Sequence, residues 1–405
     1  SSSLGRWMGE LMQWDEDVCI VSGDNRAWQD EGEPKTVIEL WCRSRAGHST
    51  LLLVNGLKPY VEISDPSTDE ALPSPNLSLE KVSETKDVRS DPEPSGMKLS
   101  TRDGKVRPHY RVFVRDTTKV RSVRKALSGL GWTVTSADIL FVQRLLLDLD
   151  LGPHIRMSGE VLWAGERAPE EAKTPETTDR ALAQSRIVAV GGSGLYPLDM
   201  VVSCDITGLQ RADPFPAPFV TMSFDLETSI ADNTILCAAA IVDRGGQRTE
   251  YPITGAETEI LEKLTEVVRT EDPDFITGYN IDNFDLPRME ERSEDISPNS
   301  EVDRAPLLGW GRVPMSDSEI KKGWRRPGRI FPNREQNRVW TIKGRIPLDA
   351  WWQARQTLRP QRESLKYVSK LLWPDDDEMH KMDIDASKMD EEWAARPDEV
   401  LEYCV

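Results

Sequence analysis

Cysteine and histidine are scarce in these 405 residues, and no apolar stretch is long enough to cross a bilayer. The five cysteines (Cys19, Cys42, Cys204, Cys237 and Cys404) are scattered with no CxxC pair, which argues against a structural zinc site or a disulfide framework. The four histidines are isolated, so schemes built on histidine nucleophiles or histidine metal ligands find little support. The N-terminus lacks the basic-then-apolar pattern of a secretion signal. These absences predict a reduced, cytoplasmic setting away from any membrane. What is plentiful is acid: 69 Asp and Glu against 51 Lys and Arg, a net charge of −18. That total sits badly with a nucleic-acid partner, which needs basic surface along its phosphates. Charge is local, however, and basic residues recur at 328–331, 343–345 and 355–362.

The length allows two or three domains with real cores. Val18–Val21, Thr36–Trp41, Thr50–Asn55 and Leu57–Ile63 read as strands. From 64 to 104 the chain is rich in Ser, Pro, Asp and Glu and is predicted to be a disordered insertion. A strand near Tyr110–Val114, a helix over Thr117–Leu130 and a strand at Trp132–Thr135 follow. The acidic stretch 155–186 reads as irregular. The Pro-rich segment Asp213–Phe219 marks the main boundary, so the expected division is 1–155, a connecting segment 156–215, and 216–405. Beyond it, strands at 219–226, 234–242, 249–253 and 274–278 alternate with helices at 257–269 and from Asp285. That half is α/β around a mixed sheet; the first half is β-rich α+β.

The segment Phe219-Val-Thr-Met-Ser-Phe-Asp-Leu-Glu-Thr228 bears most on function. Residues two apart on a strand share a face, so Asp225 and Glu227 leave its end side by side. Like charges that close repel unless cations lie between them. Hard oxygen ligands at this spacing suit Mg²⁺ or Mn²⁺, ions that serve phosphodiester chemistry. About sixty residues on, Gly278-Tyr-Asn-Ile-Asp-Asn-Phe-Asp285 offers a third carboxylate in a similar apolar setting.

Ser223-Phe-Asp-Leu-Glu-Thr228 resembles the first exonuclease motif of family-B DNA polymerases, and Gly278-Tyr-Asn280-x-x-x-Phe284-Asp285 resembles the second, with Asp272-Pro-Asp274 before it and Pro287 after. Gly344-Arg-Ile-Pro-Leu-Asp-Ala-Trp351 and Leu365-Lys-Tyr-Val are similar to the strand and helix that lead to the third, Tyr-x-x-x-Asp. Tyr403 supplies its tyrosine, and the sequence stops two residues before the aspartate's place. The resemblance runs through nearly the whole chain and is nearest to archaeal members. It implies a ribonuclease H-like 3′–5′ exonuclease domain and a segment lying before the polymerase palm. Asp225, Glu227 and Asp285 would hold two metal ions, Tyr403 would orient the attacking water, and Asn280 and Phe284 would contact the terminal nucleotide. The implied partners are a single-stranded 3′ end and primer-template DNA, with a sliding clamp reached through sequence further on. The implied place is the cytoplasm, at the nucleoid. Without the missing aspartate, this chain alone is expected to be weakly active or inactive.

Leu57-Lys-Pro59-Tyr60, Arg107-Pro108 and Ala137-Asp-Ile139-Leu-Phe141-Val-Gln-Arg144 resemble segments from which archaeal members build a pocket for template uracil. Pro59, Tyr60, Pro108, Ile139 and Phe141 would be its walls and Arg144 its brace. Arg111 departs from the pattern, standing where a small apolar residue is usual. Two other classes compete: a free-standing 3′–5′ exonuclease, which leaves the first half unexplained, and a non-catalytic DNA-binding subunit, against which the intact acidic residues argue.

Overall fold

The computed structural model describes residues 12–66, 77–100, 103–296, 309–314, 331–332, 340–379 and 383–405. The basic residues expected at 328–330 lie outside them. Three antiparallel strands come first: β1 (Gln13–Asp30), β2 (Glu33–Ser44) and β3 (Ser49–Asn55). Neighbouring side chains point to opposite faces of a strand, and β2 buries both. Ile38, Leu40 and Cys42 enter one apolar cluster, Val37 and Trp41 another. β3 divides likewise, Leu52 and Val54 against Leu51 and Leu53. Its run of apolar residues therefore shows no alternation, as strands covered on both sides need none.

The chain next builds a separate sheet from β4 (Tyr60–Ser64), β5 (Glu93–Leu99), β6 (Val106–Phe113) and β7 (Thr133–Thr135), in the order β5-β6-β4-β7. The helix Val120–Gly129 joins its core through Val123 and Leu127. The disordered insertion expected over 64–104 is corrected here. That stretch holds a short helix, Leu79–Ser83, with Val82 fully buried, and the whole of β5. β5 is held by backbone pairing with β6 more than by buried side chains, so its composition resembles solvated chain. Residues 67–76 and 101–102 lie outside the described part.

Strands β8 (His154–Ala164), β9 (Met200–Asp205) and β10 (Leu209–Arg211) return to the first sheet, which reads β1-β2-β3-β9-β8-β10. The expected connecting segment 156–215 is thus corrected as well. Met157, Val161, Met200, Val202 and Cys204 sit in the same core as β2. The acids that suggested irregular chain, Glu166, Glu170, Glu171 and Glu176, fall on the turn and short helices between β8 and β9.

The last sheet comprises β11 (Val220–Thr228), β12 (Ile235–Arg244), β13 (Gln247–Ile253) and β14 (Phe275–Gly278), completed by a later strand. The two-residue strands β15 (Phe331–Pro332) and β16 (Trp340–Thr341) pair only with each other, and β17 (Ile346–Asp349) joins the sheet's edge. Its order is β13-β12-β11-β14-β17, antiparallel through β11 and parallel beyond it. The helix Glu257–Glu271 covers one face through Ile260, Leu261, Leu264 and Val268. The helices Met389–Ala395 and Pro397–Cys404 cover the other, where Met389, Val400 and Cys404 meet Cys237 and Ala239.

A buried ionic knot joins the first and last sheets. Arg43 of β2 grips Asp274, with Nε–Oδ2 at 2.8 Å and Nη2–Oδ1 at 3.1 Å. Arg312 spans both acids, reaching Asp272 Oδ1 at 2.7 Å and Asp274 Oδ1 at 2.9 Å. Arg345 adds a third contact, to Asp272 Oδ1 at 2.7 Å. Asp274 Oδ2 also accepts from the Val220 N–H at 2.9 Å, which fixes where β11 begins.

Candidate active site

β14 follows β11 only as far as Thr277, opposite Ser223, and ends at Gly278. Beyond that point the two parallel strands part, leaving the kind of notch in which α/β sheets bind ligands. The separation is tight at its root. A Cβ on Gly278 would meet Phe224 O at 2.6 Å and Ile281 Cγ2 at 2.4 Å, so only glycine fits. Past it the chain turns through Asn280, whose φ of +67° is left-handed. The Asp349 carboxylate at the end of β17 holds that turn, accepting from the N–H groups of Asn280 at 2.8 Å and Asp282 at 3.1 Å. It also caps the next helix at the Trp351 N–H, 2.9 Å away. The turn delivers Asp285 to the start of the helix Asp285–Ile296.

Asp285 then does on β11 what β14 no longer does: its Oδ1 accepts from the Leu226 N–H at 3.1 Å. Leu226 points into the apolar core, and Asp225 and Glu227 on either side of it point the other way. Asp285 is 1 % exposed. Burial, then the charge of Asp225, then more weakly that of Glu227, push its carboxyl well above the usual range. Ligand atoms of Asp225 and Glu227 lie within 4.8 Å of each other and of Cys404 Sγ. Cys404 donates to the Asp225 carbonyl at 3.4 Å. Asp285 stands outside that tight trio, on the Leu226 amide between its two acids. Carboxylate oxygens so gathered fit a hard divalent cation.

A cleft of about 650 Å³ opens here, lined by Asp225, Tyr279, Leu365, Trp373, Met379 and Tyr403 among others. Tyr403 reaches it from the helix Pro397–Cys404, which Val400 and Cys404 seat on the sheet. Asn280 and Phe284 stand on the adjoining turn. Asn280 Oδ1 accepts from Asn283 Nδ2 at 3.1 Å, and the exposed Phe284 ring lies beneath the Arg288 guanidinium. Asp349 and Cys404 were not picked out as site residues from sequence. An aspartate closing an apolar strand, the pattern that singles out Asp225, is a usable signal for Asp349 as well. Nothing in the sequence distinguished Cys404 from the other scattered cysteines.

The residues expected to wall a uracil slot do not all meet. Arg144 and Arg111 stack on the Tyr60 ring at 3.9 and 4.1 Å, and the Tyr60 hydroxyl donates to Asp148 at 2.9 Å. Phe141 begins the helix that carries Arg144 and is buried, as is Pro59; Ile139 is half-buried just before that helix. Pro108 does not join them. Tyr60 pairs with Phe113, so Pro108 lies five residues further down β6, roughly 17 Å away at strand rise, and is exposed. The Tyr60 ring is packed between guanidinium groups and core, which fits the unusual arginine at 111.

Residues 247–368 match the family described as "DNA polymerase family B, exonuclease domain". The match takes in Asn280, Phe284 and Asp285; Asp225, Glu227 and Tyr403 flank it. The DNA polymerase delta catalytic subunit of Drosophila melanogaster is 27% identical over 217 residues, 47% of this chain and 19% of that one. That of Glycine max is 22% identical over 89% of this chain and 35% of its own. A DNA polymerase of Archaeoglobus fulgidus is 24% identical over 64% of this chain and 29% of its own. The structure of the family B DNA polymerase from the hyperthermophilic archaeon Pyrobaculum calidifontis superposes with a TM-score of 0.59 at 17% identity, over 96% of this chain and 44% of that one. The fold and site define a ribonuclease H-like exonuclease domain of a metal-dependent nuclease family. The family match is to 247–368, and the proteins this chain is similar to include eukaryotic delta subunits as well as archaeal enzymes. It spans about a fifth to a third of the length of these curated relatives. Among the described residues no helix is long and apolar enough to cross a membrane.

Proposed function

We propose that this chain is the N-terminal and exonuclease part of a DNA-directed DNA polymerase, and that its cleft removes nucleotides from the 3′ end of a frayed single strand. The observation that carries this is the meeting of Asp225, Glu227 and Asp285 about the Leu226 amide, where β11 and β14 part. Asp225, Glu227 and Asp285 would hold Mg²⁺ or Mn²⁺. Such ions, when bound, supply an activated water and offset charge on the departing 3′ oxygen. Tyr403, on the cleft wall beside Asp225, orients the water and the scissile phosphate. Phe284, exposed at the adjoining turn, packs against the terminal base, and Asn280 hydrogen-bonds the nucleotide. Water adds to phosphorus, the bond to the 3′ oxygen breaks, and that oxygen takes up a proton. The product is a 5′-mononucleotide. The longer protein would extend primers, proofread through this cleft and contact a sliding clamp, at the nucleoid. The first half would contact the template strand, without a slot selective for uracil.

A single-stranded DNA labelled at its 3′ end tests this. The full-length protein with Mg²⁺ or Mn²⁺ should release the label as a mononucleotide, and Asp225→Ala should abolish release. Undiminished release by that variant would remove the assignment.

A further inference from the structure

Away from the cleft, six cations share a neighbourhood with no carboxylate in ion-pair reach among the described residues. Backbone hydrogen bonds set the first three side by side: Val114 N–H to Pro59 O, Arg89 N–H to Phe113 O, and Arg115 N–H to Asp87 O. Lys58, Arg89 and Arg115 therefore arrive on adjacent segments, lining part of a second cleft of about 1020 Å³. Lys58 and Arg115 are exposed; Arg89 donates to Pro34 O at 2.8 Å. After Arg115 the chain turns at Asp116, whose carboxylate accepts from the Thr118 N–H, and enters the helix Val120–Gly129.

That helix buries Val123 and Leu127 and turns Arg121, Arg124 and Lys125 to water. These positions are three and four apart and share a face, where like charges destabilise a helix. No Asp or Glu occurs within the helix to relieve them. The helix start adjoins the second cleft, since the Thr117 N–H donates to the Oγ1 of the lining residue Thr36 at 3.3 Å. Asp15, Asp30, Glu160 and Asp205 line other parts of that cleft and would repel an anion from its interior. A polyanion would therefore follow the rim and the outer helix face. Six cations left together in a chain of net charge −18 concentrate positive potential along that course.

We propose that Lys58, Arg89 and Arg115, with Arg121, Arg124 and Lys125 on the adjoining helix, form a track for the sugar-phosphate backbone of single-stranded DNA. The choice of DNA among polyanions rests on the function proposed above; the cation track does not. Cations that meet the sugar-phosphate backbone carry no base readout, so the track grips without reading sequence.

The test is a fluorescence-anisotropy titration of a labelled single-stranded oligothymidylate with the full chain in EDTA, where no hydrolysis can occur, repeated over a range of salt. R121Q/R124Q/K125Q should bind about tenfold more weakly at low salt. The slope of log affinity against log salt should fall by about 2, at ~0.7 for each phosphate no longer neutralised. R248Q/K263Q, exposed cations elsewhere, should bind like the parent. An unchanged slope in the triple variant, an equal loss in the control pair, or no binding by the parent would overturn the track. Displacement by polyglutamate at lower concentration than by unlabelled oligonucleotide would assign the surface to an acidic protein and overturn it too. In the full-length protein with Mg²⁺, the triple variant should still hydrolyse 3′ ends at saturating DNA. Failure of the track is thereby separable from failure of the exonuclease.

Discussion

Asp272 and Asp274 lie just before β14 and Asp285 lies just after it, and all three are buried. The charges around them have opposite signs. Burial alone would raise all three. For Asp272, Arg312 first, then Arg345 and Arg43, outweigh it and hold the carboxyl below its usual range. For Asp274, Arg312 and Arg43 do the same. For Asp285 the acting charges are Asp225 and Glu227, which add to the effect of burial. In the knot the chain supplies its own counter-charge, so those aspartates are structural. At the notch carboxylate faces carboxylate, the arrangement expected where the balancing cation comes from outside.

The sharpest way to break the comparison is to remove a guanidinium. Arg312 is fully buried and contacts both knot aspartates. Arg312→Met should cost about 3–5 kcal/mol of folding stability, because it strands buried charge. Urea unfolding at neutral pH would measure it, and a cost below roughly 1 kcal/mol would mean that the knot carries no strain when opened. The sign with pH follows from the lowered carboxyls. Their contribution is present above the usual carboxylate range and is lost as pH falls through the folded values.

A smaller effect should appear at the notch. Mg²⁺ or Mn²⁺ at one hundred times Kd should stabilise the folded chain by about 2.7 kcal/mol. Asp225→Asn combined with Glu227→Gln should lose that increment, while Arg312→Met should keep it. Thermal melts with and without metal read this directly, and equal increments in parent and double variant would separate the two acids from metal binding.

How much of this could be seen in advance depended on whether the signal was local. Asp225 and Glu227 announce themselves because two acids end an apolar strand at a spacing of two. Asp272 and Asp274 share that spacing and sit as near a strand, yet their partners Arg43, Arg312 and Arg345 come from distant parts of the chain. No window holds both halves of the knot. The same limit explains β5 and β8. β5 has backbone partners but little to bury, and acidic turns follow β8, so composition suggested solvated chain where pairing with distant strands made order. Arg144 stacks on the Tyr60 ring, but the strand register puts Pro108 elsewhere.

The finest test of the comparison is an acid that belongs to neither set. Asp282 lies in the turn between β14 and Asp285, half-buried, with its N–H given to Asp349. Burial first, then the charge of Asp349, raise its carboxyl from the ordinary 3.8 to about 6, against a hydrogen bond from Trp352. Below pH 4 both folded and unfolded chains carry the proton. Between about pH 4 and 6 the unfolded chain releases it first, so stability falls as pH rises and then levels off. The full shift would correspond to about 3 kcal/mol, but half of the side chain faces water, which screens the effect to roughly 1–2 kcal/mol. Asp282→Asn should therefore be more stable than the parent by that amount at pH 7 and equal to it below pH 4. Denaturant midpoints at the two pH values decide it. Were the gap absent at pH 7, or larger in acid, neither burial of the Asp282 charge nor its repulsion by Asp349 would be what strains this turn. The uncompensated charge would then be confined to Asp225, Glu227 and Asp285.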